Sequence, residues 1–260
     1  MAGFLDSLSG PDARRRLGTG STVVIPIGAI EQHGPHLPLA VDHVIADAAA
    51  RAVVERLGDE LDVWVAPTLP YSKSNEHAWA PGTVWLSNDT MLRVLDDMAR
   101  SLAFSGVKRL VFLNGHGGNT PLLGVVCREA RLHHGLLTFV VHPFVPPAYA
   151  PPDPDGAASG ELGMGIHGGL DETSVMMHLR PDLVDLSKAE RNVPEWLADN
   201  EHVKFGGSVQ FGWLSDDFGP VGHIGDPTGS SAELGAALFE NAVTFLCDQM
   251  REIVEFDFRS

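Results

Sequence analysis

The chain alternates short apolar runs with longer amphipathic segments, and this alternation restricts its fold more than any other feature. Four runs have the length and β-branched content of buried strands, namely 21–28, 62–66, 108–113 and 136–141. Three segments have apolar residues at helical spacing, namely 42–58, 89–105 and 120 to about 134. Because helices that connect successive strands form βαβ units, the pattern predicts an α/β fold with a mostly parallel sheet covered on both faces.

The second half of the chain is less regular. The segment 143–165 is rich in Pro, Gly and Ala, and a loop of this length is usually a lid, a binding loop or a subunit contact. Beyond it the patterns predict, in order, a short helix over 171–179, irregular structure over 187–225 and a last helix to about residue 254. The last helix opens with Ser230 and Glu233, a capping-box pair. No repeat or linker divides the chain, so we expect one domain over 1–260.

The charge balance excludes one class of partner. With 18 Lys and Arg against 34 Asp and Glu, the formal net charge is −16, and such a surface repels phosphate backbones. We therefore expect no nucleic-acid partner. No apolar run approaches the ~20 residues of a membrane span, and the start lacks a basic-then-apolar secretion signal. We expect a cytoplasmic protein with no membrane partner.

Three clusters of histidines and carboxylates carry the candidate chemistry. Glu31 and His33 follow the first strand, and Asp42 opens the first long helix, where the helix field favours a carboxylate. His116 lies in NGHGGN after the third strand, and HGGLDETS at 167–174 is a glycine-rich turn that leads into a helix. The first two clusters lie at the carboxyl ends of parallel strands, where open α/β sheets build their sites.

The residue types in these clusters suit metal binding, although other interpretations stay open. Histidine and carboxylates without a thiolate suit Zn, Mn or Fe(II), and a carboxylate can bridge two ions. NGHGGN could also form a tight turn, whereas a phosphate cradle would need a Gly-Lys-Ser/Thr tail or a GxGxxG spacing. Each Glu or His alone could be a helix cap or a solvated charge, so the metal prediction depends on the clusters converging.

Five motifs together resemble the creatininase (creatinine amidohydrolase) family. They are EQHGPHLPLAVD at 31–42, Glu76-His77 with Pro81-Gly82-Thr83, NGHGGN at 114–119, HGGLDETS at 167–174, and Gly225-Asp226-Pro227-Thr228. The motifs stand in the family's order, and the resemblance extends from about residue 23 to residue 240. One such motif would be a weak signal, but five in order are specific.

The resemblance implies a fold, a cofactor and a reaction. The fold is a three-layer αβα sandwich with a mostly parallel sheet, and the cofactor is a pair of divalent ions, Zn, Mn or Fe. The reaction is the hydrolysis of a carbon–nitrogen bond, usually in a cyclic amide. Several relatives are hexamers, so the resemblance also implies a homo-oligomer, for which a hexamer is one expectation.

The resemblance also assigns roles to individual positions. The residues that match metal-binding positions are Glu31, His33, Asp42 and His116. Asp42 would bridge the two ions. Glu172 matches an acid that we expect to bind metal or to handle protons, and His167 matches an active-site histidine. We predict His167 and Glu172 as catalytic residues, with support of a metal ligand as the alternative role of His167.

Departures from the family pattern argue against creatinine as the substrate. Creatinine-specific members carry Glu at the position of Gly118 and Trp at the position of Gly163. Val41 and Gly168 also replace the family's Thr and Ala. The matched metal-binding residues are all present but the residues that hold creatinine are not, so we expect a different small-molecule substrate.

Substrate contacts are predicted outside the set of metal ligands. His36 and His77 are expected to contact the substrate or to support ligands rather than to bind metal. Trp79 and Trp213 are predicted to contact the substrate, because aromatic side chains in loops can stack on planar rings. Such side chains also pack loops onto the body of a protein or onto another subunit.

Together these observations predict a metal-dependent hydrolase that opens a small cyclic amide. Two ions about 3.5–4 Å apart can share a water and lower its pKa from near 16 towards neutrality, which produces a hydroxide nucleophile. The same centre could attack a cyclic ketone, a lactone or a short peptide, and the ligand set does not distinguish these substrates. A metal scaffold without activity is disfavoured, because structural sites are closed and favour cysteine.

Overall fold

The computed structural model describes residues 3–58, 60–146, 149 and 160–258, and its centre is a five-stranded sheet with parallel neighbours. The strands are β1 (Gly3–Phe4), β2 (Thr22–Ile27), β3 (Val63–Val65), β4 (Arg109–Asn114) and β5 (Leu137–Val141). Their spatial order is β1-β3-β2-β4-β5. The helices are α1 (Gly10–Arg16), α2 (Val41–Leu57), α3 (Asn88–Phe104), α4 (Thr120–His134), α5 (Leu170–Leu179) and α6 (Ala232–Glu255).

Helices cover both faces of this sheet. On one face, α2 and α6 enclose a core in which Val24 of β2 packs with Leu246. On the other face, α3 and α4 enclose a core that contains Ile25, Leu95 and Leu123. Adjacent residues of β2 thus point to opposite helix layers, because side chains alternate along a strand. The predicted three-layer α/β fold is confirmed.

α5 packs beside the first half of α2. Val175 and Met176 of α5 share a small buried core with Val41 and Ile45 in the first turns of α2. This contact brings α5 next to the start of α2, and so next to Asp42. Two segments that are far apart in the sequence are therefore adjacent at the edge of the sheet.

Most predicted elements are present, with small shifts at their ends. The cap of α6 is Ser231 and not Ser230, because Ser231 Oγ accepts from Leu234 N at 3.1 Å while Ser230 Oγ donates to the carbonyl of Leu170. β1 and α1 were not predicted, since both are too short to show a period. Of the predicted loop 143–165, residues 147–148 and 150–159 lie outside the described residues. In the part of the chain that is described, no helix combines the length and apolarity needed to cross a membrane.

Candidate metal centre

Side chains from four segments meet at the carboxyl edge of the sheet. Glu31 and His33 follow β2, His116 follows β4, Asp42 lies in the first turn of α2, and Glu172 lies in the first turn of α5. The first four are buried and Glu172 is half-buried. The three sequence clusters therefore converge, as the parallel topology leads one to expect.

Two glycines allow α2 to begin directly against the ends of β2 and β4. A Cβ at Gly28 would overlap the backbone of His43, and a Cβ at Gly115 would lie 2.6 Å from the carbonyl oxygen of Asp42. Gly28 follows β2 and Gly115 follows β4, so the first turn of α2 crosses both strand ends. This close approach places Asp42 Oδ2 3.1 Å from His116 Nδ1.

The carboxylates and imidazoles of the cluster lie close to one another. His116 Nδ1 is 3.2 Å from Glu31 Oε2, and His33 Nε2 is 3.0 Å from Asp42 Oδ1. His33 Nε2 is also 3.9 Å from both Glu31 Oε1 and Glu172 Oε2. The two oxygens of Asp42 therefore face different histidines, which is the arrangement that a carboxylate between two ions requires.

The residues present fit a divalent metal. Their ligand atoms form three groups in which all atoms lie within 4.8 Å of one another, namely Glu31, Asp42 and His116; His33, His167 and Glu172; and Glu31, His77 and His167. Glu31 Oε1 and Asp42 Oδ2 are buried and form no hydrogen bond with any described residue. Burial of such oxygens is unfavourable without a partner, and a cation would satisfy both. Nitrogen and oxygen donors suit Zn and Mn.

Hydrogen bonds identify which nitrogen of His33 and of His167 faces the carboxylates. His33 Nδ1 contacts the carbonyl oxygen of Glu31 at 3.2 Å, and His167 Nε2 contacts the carbonyl oxygen of Gln32 at 2.6 Å. Since a carbonyl only accepts, His33 Nδ1 carries a proton and donates, and so does His167 Nε2, whose contact with this carbonyl is shorter than its 3.3 Å contact with Gln32 Nε2. In each neutral ring the other nitrogen then offers its lone pair to the cluster, as in histidines that bind metals.

His77 has the opposite arrangement. Gln32 Oε1 accepts from Gly34 N at 2.9 Å, which directs Gln32 Nε2 to His77 Nδ1 at 3.0 Å. An amide nitrogen only donates, so His77 Nδ1 accepts and the proton of the neutral ring is on Nε2, 3.4 Å from Glu31 Oε1. His77 thus presents a donor to the cluster. Its predicted contact with substrate rather than metal stays a prediction, which this tautomer favours.

The concentration of carboxylates shifts the pKa values of neighbouring groups. Burial lowers the pKa of His33, but the carboxylates of Asp42, Glu172 and Glu31 outweigh it and raise that pKa to about 9. Burial raises the pKa of Glu172, and with Asp42 and Glu31 nearby it reaches about 7 although His33 opposes the shift. Both shifts show that the carboxylates favour additional positive charge in the cluster, which either a proton or a metal cation can supply.

The other predicted substrate residues lie in different surroundings. His36 is buried, and its Nε2 donates to the carbonyl oxygen of Gly168 at 3.1 Å. Trp79 is 40% exposed, and its Nε1 donates to Ser215 Oγ at 2.7 Å. Trp213 is half-buried and packs with other aromatic residues of the segment 187–225. Contact of these side chains with a substrate stays a prediction.

Several residues that support the cluster were not predicted. Ser74 Oγ donates to Glu31 Oε2 at 2.5 Å. Glu76 Oε2 is 2.6 Å from Lys73 Nζ, and Glu76 Oε1 is 3.3 Å from His116 Nε2. Burial raises the pKa of Glu76, but the contacts with His116 and Lys73 lower it to about 2. Glu76 stands in one of the motifs quoted above, which could have singled it out, whereas Ser74 and Lys73 belong to none.

Comparisons with known proteins identify a family and relatives that match most of this chain. The family model described as creatininase, creatinine amidohydrolase, matches residues 6–250. A mycofactocin precursor peptide peptidase of Mycolicibacterium smegmatis is 35% identical over 234 residues, 88% of this chain and 84% of that protein. A creatinine amidohydrolase of Pseudomonas putida is 35% identical over 208 residues, 74% of this chain and 77% of that protein.

Solved structures of similar fold include forms that contain metal. A manganese form of creatininase has a TM-score of 0.75 at 26% identity and covers 98% of this chain and 100% of its own. A Zn–Zn form of a creatininase mutant has a TM-score of 0.74 at 27% identity, with coverages of 97% and 98%. The chain belongs to the creatininase family, and the sequence resemblance is confirmed.

Proposed function

We propose that this protein is a hydrolase that binds two divalent metal ions and uses them to cleave an amide bond. The proposed ligands are Glu31, His33, Asp42, His116 and Glu172, with Asp42 between the ions. The observation that carries the proposal is the pair of buried oxygens, Glu31 Oε1 and Asp42 Oδ2, that lack hydrogen bonds to the described residues while imidazole nitrogens surround them. Divalent ions in this cluster would supply Lewis-acid chemistry, which activates water and polarises an amide carbonyl.

His167 and Glu172 are the proposed groups for proton transfer. His167 Nδ1 lies 3.7 Å from Glu31 Oε1 and offers a lone pair, because Nε2 of the same ring donates to a carbonyl. Glu172 Oε2 accepts from Gly168 N at 2.6 Å, and the side chain is half-buried, so a substrate can reach it. Amide hydrolysis needs a group that returns a proton to the leaving nitrogen, and a positioned carboxyl or imidazole does this.

The proposed substrate is a small cyclic amide other than creatinine, with a peptide bond as the second candidate. The absence of the creatinine-specific Glu and Trp at Gly118 and Gly163 supports the exclusion of creatinine. The peptide candidate is favoured by relatives named mycofactocin precursor peptide peptidase, which are 32% and 35% identical to this chain. Both candidates present the same amide carbonyl to the site.

The experiment that tests the proposal is metal reconstitution followed by a substrate screen. The chelated protein is loaded with Mn, Zn or Fe, its ions are counted by mass spectrometry, and hydrolysis of cyclic ureides, lactams and short peptides is measured beside lactones and cyclic ketones. We expect about two ions per chain and amide turnover that needs them. Activity on the lactones or ketones alone would contradict the amide assignment.

Substitutions in the same protein separate metal binding from turnover. Asp42→Asn should lose ions and activity together, while the control Asp47→Asn, on the same helix with partners Arg51 and Thr68, should keep both. His167→Ala should keep the ions and lose rate, and loss of the ions would make His167 a ligand. Full activity of metal-free His116→Ala would exclude the mechanism.

The proposal includes the finer expectations from the sequence. We propose one domain over 1–260, a small-molecule substrate, a cytoplasmic location and a homo-oligomer. Light scattering coupled to size-exclusion chromatography tests the last point. A mass equal to that of one chain would contradict it, and a mass of six chains would identify the hexamer.

A further inference from the structure

The carboxylate of Glu76 occupies the space that a side chain at position 118 would need. A Cβ at Gly118 would overlap Glu76 Oε1 and His116 Nε2 and would lie 2.9 Å from Glu76 Cδ. A Cβ at the adjacent Gly117 would meet no described atom within 4 Å. The positions of Glu76 and His116 together therefore favour glycine at 118, and they place no such demand on 117.

Glu76 is held through both carboxylate oxygens and through its backbone. Oε2 is 2.6 Å from Lys73 Nζ, and Oε1 faces His116 Nε2 at 3.3 Å. The Glu76 carbonyl accepts from Ser215 Oγ at 3.2 Å, and the residue is 7% exposed. A buried carboxylate held in this way is a fixed part of the site rather than a solvated surface charge.

His116 turns one nitrogen to the candidate metal cluster and the other to Glu76. Nδ1 lies 3.2 Å from Glu31 Oε2 and 3.1 Å from Asp42 Oδ2. Nε2 is buried and lies 3.3 Å from Glu76 Oε1, an ion-pair contact that does not meet hydrogen-bond geometry and in which the carboxylate is the acceptor that faces it. When a histidine binds metal through one nitrogen, a carboxylate at the other nitrogen fixes the tautomer and strengthens the ligand.

We infer that Glu76 is the positioning residue of His116, that Lys73 holds Glu76 in place, and that Gly118 is glycine in order to admit the carboxylate. The inference rests on the proposed metal centre, because it gives His116 the role of a ligand. Glu76 acts through His116 and is not itself a ligand. Its loss therefore changes how tightly and in what geometry the ion is held.

The test measures Mn²⁺ binding to the chelated protein by titration calorimetry, without any substrate. Glu76→Gln should weaken Mn²⁺ binding by about 10- to 100-fold, because a neutral amide oxygen is a weaker acceptor for the His116 N–H than a carboxylate. The matched control is Glu129→Gln on α4, where an exposed glutamate also faces a histidine, His133 Nε2, at 3.2 Å. The control should bind Mn²⁺ as the original protein does.

Two further readouts separate positioning from a merely structural role. The visible absorption of the Co²⁺-loaded protein should shift in Glu76→Gln and not in Glu129→Gln, because it reports ligand geometry. Gly118→Ala should weaken Mn²⁺ binding while Gly117→Ala should not. Lys73→Gln should also weaken Mn²⁺ binding. If Glu76→Gln does not fold, this variant tests whether Glu76 positions His116.

The outcomes distinguish failure of this inference from failure of the proposed function. Unchanged Mn²⁺ affinity and an unchanged Co²⁺ spectrum in folded Glu76→Gln would overturn the inference, provided that His116→Ala loses the ion. Unchanged affinity in His116→Ala would overturn the metal site and the inference together. Equal losses in Gly117→Ala and Gly118→Ala would show that Glu76 does not set the requirement for glycine.

Discussion

Among single residues, His36 and His223 form a buried pair beside the candidate metal centre. Their rings are 5.2 Å apart, and the Nε2 of each donates to a backbone carbonyl, of Gly168 and of Glu190 respectively. The Nδ1 of each ring forms no hydrogen bond within the described part of the chain. Burial, together with the charge of His223, lowers the pKa of His36 to about 4, and burial also lowers the pKa of His223.

Acid should therefore destabilise the folded protein through His36. In the unfolded chain His36 binds a proton below about pH 6.5, whereas in the folded protein its pKa is about 4. The free energy of unfolding therefore falls as the pH is lowered from 6.5 to 4. Between pH 7.5 and pH 5, the free energy of unfolding should fall by about 1 kcal/mol less in His36→Gln than in the original protein, after allowance for partial solvation. Urea unfolding in the presence of a chelator measures this free energy at each pH. The exposed His133→Gln is the control, and an acid-induced loss in His36→Gln equal to that of the original protein would contradict the prediction.

The side chains of the candidate site were predictable to the extent that strand ends place them. Glu31, Asp42 and His116 each follow a strand or begin a helix, so the parallel topology alone brings them to one edge. The tautomer of His77 could not be predicted, because it depends on a hydrogen bond from Gln32 across a gap between loops. The partner of His116 was missed for the same reason, since Glu76 reaches it from a different loop.

Among the helices and strands, the main elements were predictable from their hydrophobic period and their packing partners were not. β2 and β4 each contain a continuous apolar run that is buried on both faces, and α3 carries a clear apolar stripe. The contact between α5 and α6 has no periodic signal, because it depends on a backbone approach at a single glycine. A Cβ at Gly235 would overlap the carbonyl oxygen of Ser174 in α5.

Substitution by alanine should therefore change the free energy of unfolding in opposite directions at two helical glycines. Gly235→Ala in α6 must push α5 away and should lower the free energy of unfolding by about 1–3 kcal/mol, the usual effect of overpacking. Gly124→Ala in α4 meets no described atom within 4 Å and should raise it by about 0.5–1 kcal/mol, because alanine is the better helix former. Urea unfolding of both variants measures the difference. A change of the same sign in both variants would contradict the close packing of Gly235 against Ser174 of α5.

For the protein as a whole, the candidate centre joins segments that are distant in the sequence. Its proposed ligands run from Glu31 to Glu172 and belong to the ends of β2 and β4 and the starts of α2 and α5. Ions held by these ligands bind the folded chain and not the unfolded one. Metal binding and global stability are therefore linked by mass action.

Removal of the metal should lower the melting temperature of the protein. At a free ion concentration 100 times the dissociation constant, each bound ion stabilises the fold by about 2.7 kcal/mol. For a chain of this size, 1 kcal/mol corresponds to about 2–4 °C, so loss of one ion should lower the melting temperature by about 5–10 °C and loss of both ions by about 10–20 °C. Scanning calorimetry with Mn²⁺ and with chelator measures the change. Asp42→Asn should melt at one temperature under both conditions, whereas Asp47→Asn should respond like the original protein. If the melting temperature of the original protein is the same with Mn²⁺ and with chelator, the proposed link between these segments and bound metal is contradicted.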